Sequence, residues 1–124
     1  MDGFQICKEI VGLHDGIIGA EITEKGTAVA THTKKSGNAP KLERLIVQTE
    51  LYFSILQSSQ EQLGRPHYVM AHNDSIDLFF FPITINGRKM ILVVRVTVPY
   101  EHEQIVSKIR EYIGNMRIAS SSRR

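Results

Sequence analysis

The Asn86-Gly87 dipeptide lies between two long apolar segments and constrains the fold more than any other feature of the sequence. This dipeptide is typical of a two-residue turn between antiparallel strands. The turn sets the strand register and predicts four pairs on one sheet face: Ile85 with Arg88, Ile83 with Met90, Phe81 with Leu92, and Phe79 with Val94. The reverse face is also largely apolar, with Leu78, Phe80, Ile91 and Val93. A sheet that is apolar on both faces requires helices on both faces.

Local patterns elsewhere predict the remaining elements. They are an opening helix that ends near Gly12, a hairpin of residues 17–22 and 27–31, a long helix over 41–64, a short strand over 67–71, and a closing helix over 100–116. We therefore predict an α/β chain, more exactly an α+β sandwich, with the order α-β-β-α-β-β-β-α and a central five-stranded antiparallel sheet. Residues 1–118 form one domain in this interpretation, and the polar residues 119–124 form a disordered tail. Residues 34–40 form a polar linker.

The long helix carries two apolar stripes. The first has the spacing of a core-facing helix and consists of Leu42, Leu45, Ile46, Phe53 and Leu56, with Thr49, Tyr52 and Leu63 on the same face. The second, Val47, Leu51 and Ile55, lies at about 140° to 220° on a helical wheel where the first is centred near 330°. A further layer of this domain could cover the second stripe, but the other two helices are needed on the opposite sheet face. We therefore predict that it meets an external partner, with a polar rim of Arg44, Gln48, Ser54 and Ser58.

Composition excludes several functional classes. The net charge is +2, and basic residues cluster only at Lys34-Lys35 and in the tail, so we predict no nucleic-acid binding. No apolar run approaches the length of a membrane-spanning helix, and the first dozen residues do not fit a secretory signal. We expect a cytoplasmic protein without direct membrane insertion. The single cysteine, Cys7, is interpreted as a small buried apolar group.

The common motifs for phosphate, dinucleotide and metal binding and for nucleophilic catalysis are absent from the sequence. His67 and His72 do not have a recognised ligand spacing, and no further ligands complete a metal site. His72, Asp74 and Ser75 are residue types of a catalytic triad, but the same segment is typical of a turn. We therefore predict no catalytic residues, no cofactor and no metal, and hence no enzyme.

Two segments carry a resemblance to a known family. DGIIGAEITEKGTAVATH, residues 15–32, resembles the opening hairpin of Roadblock/dynein light-chain domains. VMAHNDSIDLFFFPITINGRKMILVVRV, residues 69–96, is similar to the final three strands of that family, including its hydrophobic-Pro step before the last hairpin. The resemblance spans about residues 4 to 116. Profilin-like, longin, PAS and GAF folds share parts of this architecture.

The resemblance implies a non-enzymatic dimerisation module in which two copies place their central helices side by side and join their third strands. The expected interface consists of Val47, Leu51, Ile55, Arg44, Gln48, Ser54 and Ser58 on the helix, and His67, Tyr68, Val69, Met70 and Ala71 on the strand. The partner would be a second copy or a paralogous Roadblock-like subunit. The family also implies a role as a scaffold or regulator of a Ras-like small GTPase.

Two alternatives belong to other classes. A small-ligand sensing module of the PAS, GAF or profilin-like type requires a pocket between the sheet and a helix, a space that Phe79, Phe81 and Leu92 are expected to fill. An enzyme would require turnover that depends on His72 or Asp74.

Overall fold

The structure is a computed structural model that describes residues 2–34 and 43–122, and the side chains of residues 2–34 and 44–116. Most of the linker over 34–40, the predicted start of the long helix and the two terminal arginines lie outside the described residues. The elements are α1 (Gly3–Val11), β1 (Ile17–Glu24), β2 (Thr27–Thr33), α2 (Glu43–Ser58), α3 (Gln60–Leu63), β3 (Val69–Ala71), β4 (Ile76–Ile85), β5 (Arg88–Thr97) and α4 (His102–Ser122). The predicted element order is confirmed, with the one-turn helix α3 added after α2.

The five strands form one antiparallel sheet with the order β2-β1-β5-β4-β3. Two hairpins turn on residue pairs with positive φ, which suits a tight two-residue connection: Lys25-Gly26 and Asn86-Gly87. The register that follows from the second turn is the predicted one, and all four predicted pairs from Ile85–Arg88 to Phe79–Val94 are present.

Helices cover both faces of the sheet, as the sequence predicts. Residues of α1 and α4 share the larger core with the face that carries Phe79, Phe81 and Leu92. Ile46 and Phe53 of α2 lie in a second core cluster with residues of the reverse face: Leu78, Phe80, Ile91 and Val93. The domain is therefore a three-layer sandwich with two helices on one side of the sheet and α2 on the other.

Cys7 lies fully buried in the larger core. Burial raises the pKa of its thiol to about 12, the charge of Glu21 adds to this rise, and a hydrogen bond with the backbone of Ile22 opposes it. The interpretation of Cys7 as a buried apolar group is confirmed.

The long helix is interrupted where the sequence predicts continuity. The Ser58 hydroxyl donates a 2.6 Å hydrogen bond to the Ile55 carbonyl, and the Ser59 N–H bonds the Leu56 carbonyl three residues back. Serine hydroxyls compete for helical carbonyls in this way, so α2 ends at Ser58 and α3 follows as a separate turn. Leu63 is consequently exposed, and the prediction that it continues the core-facing stripe is wrong. Tyr52, at the margin of the same stripe, is also exposed.

Two further boundaries differ from the predictions. Strand β3 begins at Val69 rather than at His67. Helix α4 continues to Ser122, so residues 119–122 are helical where the sequence predicts a disordered tail. Helix propagation costs little once a nucleus exists, which allows the polar end of this segment to extend the packed part of α4.

Candidate functional site

The second stripe of α2 lies on the protein surface. Val47 is 53% exposed, Leu51 64% and Ile55 56%, whereas Ile46, Thr49 and Phe53 on the other side of the same helix are buried. We call these three exposed residues the α2 ridge. The four predicted rim residues, Arg44, Gln48, Ser54 and Ser58, are exposed around it. Because α1 and α4 occupy the opposite face of the sheet, the described part of the chain leaves the ridge uncovered.

Strand β3 is one edge of the sheet and has a strand neighbour only on the side of β4 among the described residues. Val69 and Ala71 pack against the core cluster beneath α2. Tyr68 packs instead on the opposite face, where its ring centroid lies 5.4 Å from that of Phe81. Met70 is partly exposed. The structure therefore places Val69 and Ala71 of β3 on the same face of the sheet as α2, and Tyr68, just before β3, on the other face.

A buried carboxylate next to β3 is absent from the sequence predictions. Asp77 is 2% exposed and accepts hydrogen bonds from the Asn73 N–H at 2.9 Å and from the Tyr100 hydroxyl at 2.5 Å. The third partner of Asp77 is His72, whose Nδ1 lies 2.7 Å from the Oδ1 atom of the carboxylate. Burial alone would raise the pKa of Asp77, but the hydrogen bonds from Tyr100, Asn73 and His72, together with the charge of His72, lower it below its ordinary value.

This cluster supports the turn rather than forming a catalytic triad. The side-chain amide of Asn73 donates to the carbonyls of Ala71 and Ile76, which closes the turn between β3 and β4. The carboxylate that holds His72 is Asp77 rather than Asp74, so the triad residue types of the sequence are not assembled. One signal could have revealed Asp77: it is the only charged residue in an otherwise apolar run from Ile76 to Phe81. Its partner Tyr100 is distant in the sequence and could not have been assigned.

A second polar contact explains the glycine at position 19 in β1. A Cβ on Gly19 would lie 2.1 Å from Nη2 of Arg95. The same Nη2 donates a 3.1 Å hydrogen bond to the Thr33 hydroxyl. Burial lowers the pKa of Arg95, and the charge of Glu21 opposes that change. The glycine thus provides room for a buried guanidinium that links β5 to β2.

A sensing module would require a ligand pocket between the sheet and the α1–α4 layer. Phe79, Phe81 and Leu92 are fully buried there and fill the larger core. Among the described residues, no group of three or more His, Cys, Asp or Glu side chains is placed to hold a metal ion. No helix in the described ranges is long and apolar enough to cross a bilayer.

Sequence comparison finds no matching protein-family profile and no matching curated protein. Structural comparison does find similar folds. A Roadblock/LC7 domain from Streptomyces avermitilis aligns with a TM-score of 0.69 at 14% identity, over 98% of this chain and 99% of that one. An MglB with tetrameric arrangement aligns with a TM-score of 0.70 at 16% identity, over 94% of this chain and 87% of that one. Myxococcus xanthus MglB aligns with a TM-score of 0.69 at 12% identity, over 96% of this chain and 94% of that one.

These alignments cover nearly the whole length of both chains, and the matched structures agree with the resemblance seen in residues 15–32 and 69–96. Identities of this size define the fold alone. The chain therefore has the fold of Roadblock/LC7 domains.

Proposed function

We propose that the protein is a non-enzymatic homodimer that serves as a scaffold or regulator of a Ras-like small GTPase in the cytoplasm. The observation that carries this proposal is the α2 ridge. Val47, Leu51 and Ile55 are aliphatic, adjacent along one helix face and more than half exposed. Contact between such a stripe and water is unfavourable, and removal of apolar surface from water on association would stabilise a complex by about 25 cal/mol per Å².

A second copy of the chain suits this ridge because a two-fold axis places the same helix face against itself. The aliphatic centre and the polar rim of Arg44, Gln48, Ser54 and Ser58 have the layout of a protein interface. One of the structurally similar proteins is an MglB with tetrameric arrangement, which also supports self-association. A paralogous Roadblock-like subunit with an equivalent ridge is the other partner that this surface fits.

The edge strand β3 supports the same assembly. In an antiparallel sheet, alternate residues direct their backbone N–H and C=O groups to opposite sides. The two-residue turn at Asn86-Gly87 directs the backbone groups of even-numbered β4 residues toward β3. Val69 and Ala71, opposite Phe80 and Leu78, therefore bond β4, and Met70 directs its backbone groups away from β4. Two β3 strands related by a two-fold axis could bond through these groups and join the sheets of two subunits.

The GTPase part of the proposal rests on the resemblance to Roadblock domains and on the fold shared with MglB structures. Regulation in this proposal operates through a protein surface, since the hydrogen bonds of the polar cluster around Asp77 are those of a turn support. The dimer would present one continuous surface to the G protein.

The first test is the molar mass of the purified protein, measured by light scattering on an eluting peak over a range of concentrations. We expect a wild-type dimer and a folded Leu51→Glu monomer, because a carboxylate without a partner at the centre of the interface costs several kcal/mol. Leu63→Glu is the matched control, since Leu63 is equally exposed but lies outside the ridge. A wild-type monomer at every concentration, or a dimer that both variants leave intact, would contradict the proposed interface.

The second test addresses the GTPase. Purified Ras-like GTPases from the same source would be assayed for GTP binding and hydrolysis with wild-type protein, Leu51→Glu and Leu63→Glu. We expect binding or faster hydrolysis with the wild type and the control, and a loss with Leu51→Glu. Absence of any effect on all Ras-like GTPases of the source would refute the regulatory part and leave the dimer untouched.

A further inference from the structure

An open groove of about 850 Å³ lies beside β4, beyond Val69, the first residue of β3. Strand β3 pairs with residues 78–80 of β4, whereas β4 extends to Ile85. Residues 65–67 line one wall of the groove, and residues 82–84 of β4 line another. The groove therefore occupies the position that an extension of β3 toward its N-terminus would fill.

Pro82 explains why β3 does not extend into this space. Continuation of the observed register would pair His67 with Pro82. A two-residue turn places its flanking pair, here Ile85–Arg88, in mutual hydrogen bonds. Because hydrogen-bonded pairs alternate along an antiparallel ladder, the odd-numbered residues of β4 bond β5, and the even-numbered residues direct their backbone N–H and C=O groups away from β5. Pro82 has no N–H to donate in that direction. The N–H of Thr84 and the carbonyls of Pro82 and Thr84 consequently face the groove.

The charged side chains that line the groove are mostly positive. The described residues that line it include one carboxylate and four permanent cations, which are Lys25, Arg65, Lys89 and Arg110. That carboxylate, on Glu50, already accepts a 2.9 Å hydrogen bond from the N–H of Gly26. With His67 neutral, these residues carry a net charge of +3 (four cations less one carboxylate), against +2 for the whole chain.

The cations lie on both sides of the exposed strand edge. Lys89 pairs with Thr84 and therefore shares its side of the sheet, the side that α2 covers. Arg110 belongs to α4, which packs on the opposite side. Apolar side chains of the sheet lie between the two, including Phe81, Ile83 and Ile91. An extended chain directs alternate side chains to opposite sides of a sheet, so this edge matches a strand that is acidic on both sides.

We propose that the groove binds an extended acidic segment of a partner protein, which adds to the sheet as a strand beside residues 82–84 of β4. The segment would accept a hydrogen bond from the Thr84 N–H and donate to the carbonyls of Pro82 and Thr84, as in other cases of strand addition. Its acidic side chains would meet Lys89 on one side and Arg110 on the other, with Lys25 and Arg65 nearby. The groove shares Ser54 and His67 with the predicted dimer interface, but Val47, Leu51 and Ile55 of the α2 ridge do not line it, and the proposal does not depend on the GTPase.

The test uses the full chain and a labelled peptide of about nine residues that is blocked at both ends and repeats Val-Val-Glu-Glu, so that glutamates lie on both sides of the extended chain. Binding is measured by fluorescence polarisation at low and moderate salt. We expect saturable binding that weakens with salt, and a loss of roughly tenfold in affinity for Lys89→Glu and for Arg110→Glu. Lys8→Glu is the matched control, since Lys8 is an exposed cation on α1, away from the groove. Circular dichroism shows whether each variant is folded.

Several outcomes would overturn the proposal. They are absence of peptide binding at millimolar concentration, equal loss with Lys8→Glu, and equal binding of a peptide whose alternate backbone amides are methylated, since such a peptide cannot donate along one edge. Stronger binding of inorganic polyphosphate or of a short DNA duplex with the same dependence on Lys89 would assign the groove to another polyanion. Leu51→Glu should leave peptide binding unchanged, and a loss with this variant alone would place the peptide on the α2 ridge.

Discussion

Removal of the Asp77 carboxylate is expected to destabilise the fold and to change its response to acid. The side chain is 2% exposed and is held by the Asn73 N–H, the Tyr100 hydroxyl and His72. Substitution with alanine removes the charged acceptor of the half-buried Tyr100 hydroxyl and of the Asn73 N–H, and a hydrogen bond to a charged group contributes about 1.5 to 3 kcal/mol. We therefore expect Asp77→Ala to lower the free energy of unfolding by about 3 to 4 kcal/mol.

Asp77→Asn removes the charge of the side chain and keeps its size and shape. Its amide oxygen can still accept from the Asn73 N–H, so we expect a smaller loss, about 1 to 2 kcal/mol at neutral pH. The pKa of Asp77 is lowered in the folded state, so the carboxylate contributes stability above its ordinary, unfolded pKa. That contribution is lost as the pH falls through the lower, folded pKa. The difference between wild type and Asp77→Asn should therefore be largest at neutral pH and should shrink below about pH 4.

The assay is urea unfolding followed by circular dichroism at neutral pH and in acid, at one protein concentration for all variants because dimerisation would add to stability. Asp74→Asn is the matched control, since Asp74 is exposed and lies outside the hydrogen bonds that hold Asp77. Equal stability of wild type and Asp77→Asn at neutral pH would refute the reasoning. A difference that persists undiminished in acid would show that shape, rather than charge, governs the effect.

Two further predictions concern packing. Phe81→Ala should lower the free energy of unfolding by about 3 to 5 kcal/mol in the same assay, because the ring is buried against Tyr68, and a loss below about 1 kcal/mol would contradict its place in the core. Gly19→Ala should destabilise by about 1 to 3 kcal/mol through a clash with Arg95, whereas Gly114→Ala, whose Cβ meets nothing within 4 Å, should stabilise α4 by up to about 1 kcal/mol. Equal effects of the two glycine substitutions would contradict this account.

Turns and strand register follow from the sequence because their determinants are local. Asn86 and Gly87 both tolerate positive φ, and the alternation of side chains on either side then allows one pairing that keeps Phe79 and Phe81 on a common face. The apolar character of both hairpin faces likewise implies the two helical layers. These inferences need no knowledge of distant contacts.

The break after Ser58, the start of β3 and the cluster around Asp77 could not be predicted in this way. The start of β3 and the cluster around Asp77 depend on which groups meet across the folded chain, whereas the break after Ser58 is a local choice of the serine hydroxyl between solvent and a helical carbonyl. The Ser58 hydroxyl bonds a carbonyl that a continuous helix would also use. Strand β3 does not extend to His67 because the residue opposite, Pro82, has no N–H to donate. The carboxylate of Asp77 is stabilised by Tyr100, which comes from beyond β5.

The α2 ridge could be predicted from the sequence only in part. Helical spacing alone reveals that Val47, Leu51 and Ile55 lie opposite the stripe of Ile46 and Phe53. Both stripes are apolar, so the prediction that the first one faces the core rests on the number of helices, and spacing by itself does not show which stripe is buried. The tertiary structure decides this, since a single sheet face can cover a single side of a helix, and here it covers Ile46 and Phe53. The exposure of the other side is therefore a property of the packed layers rather than of the helix sequence.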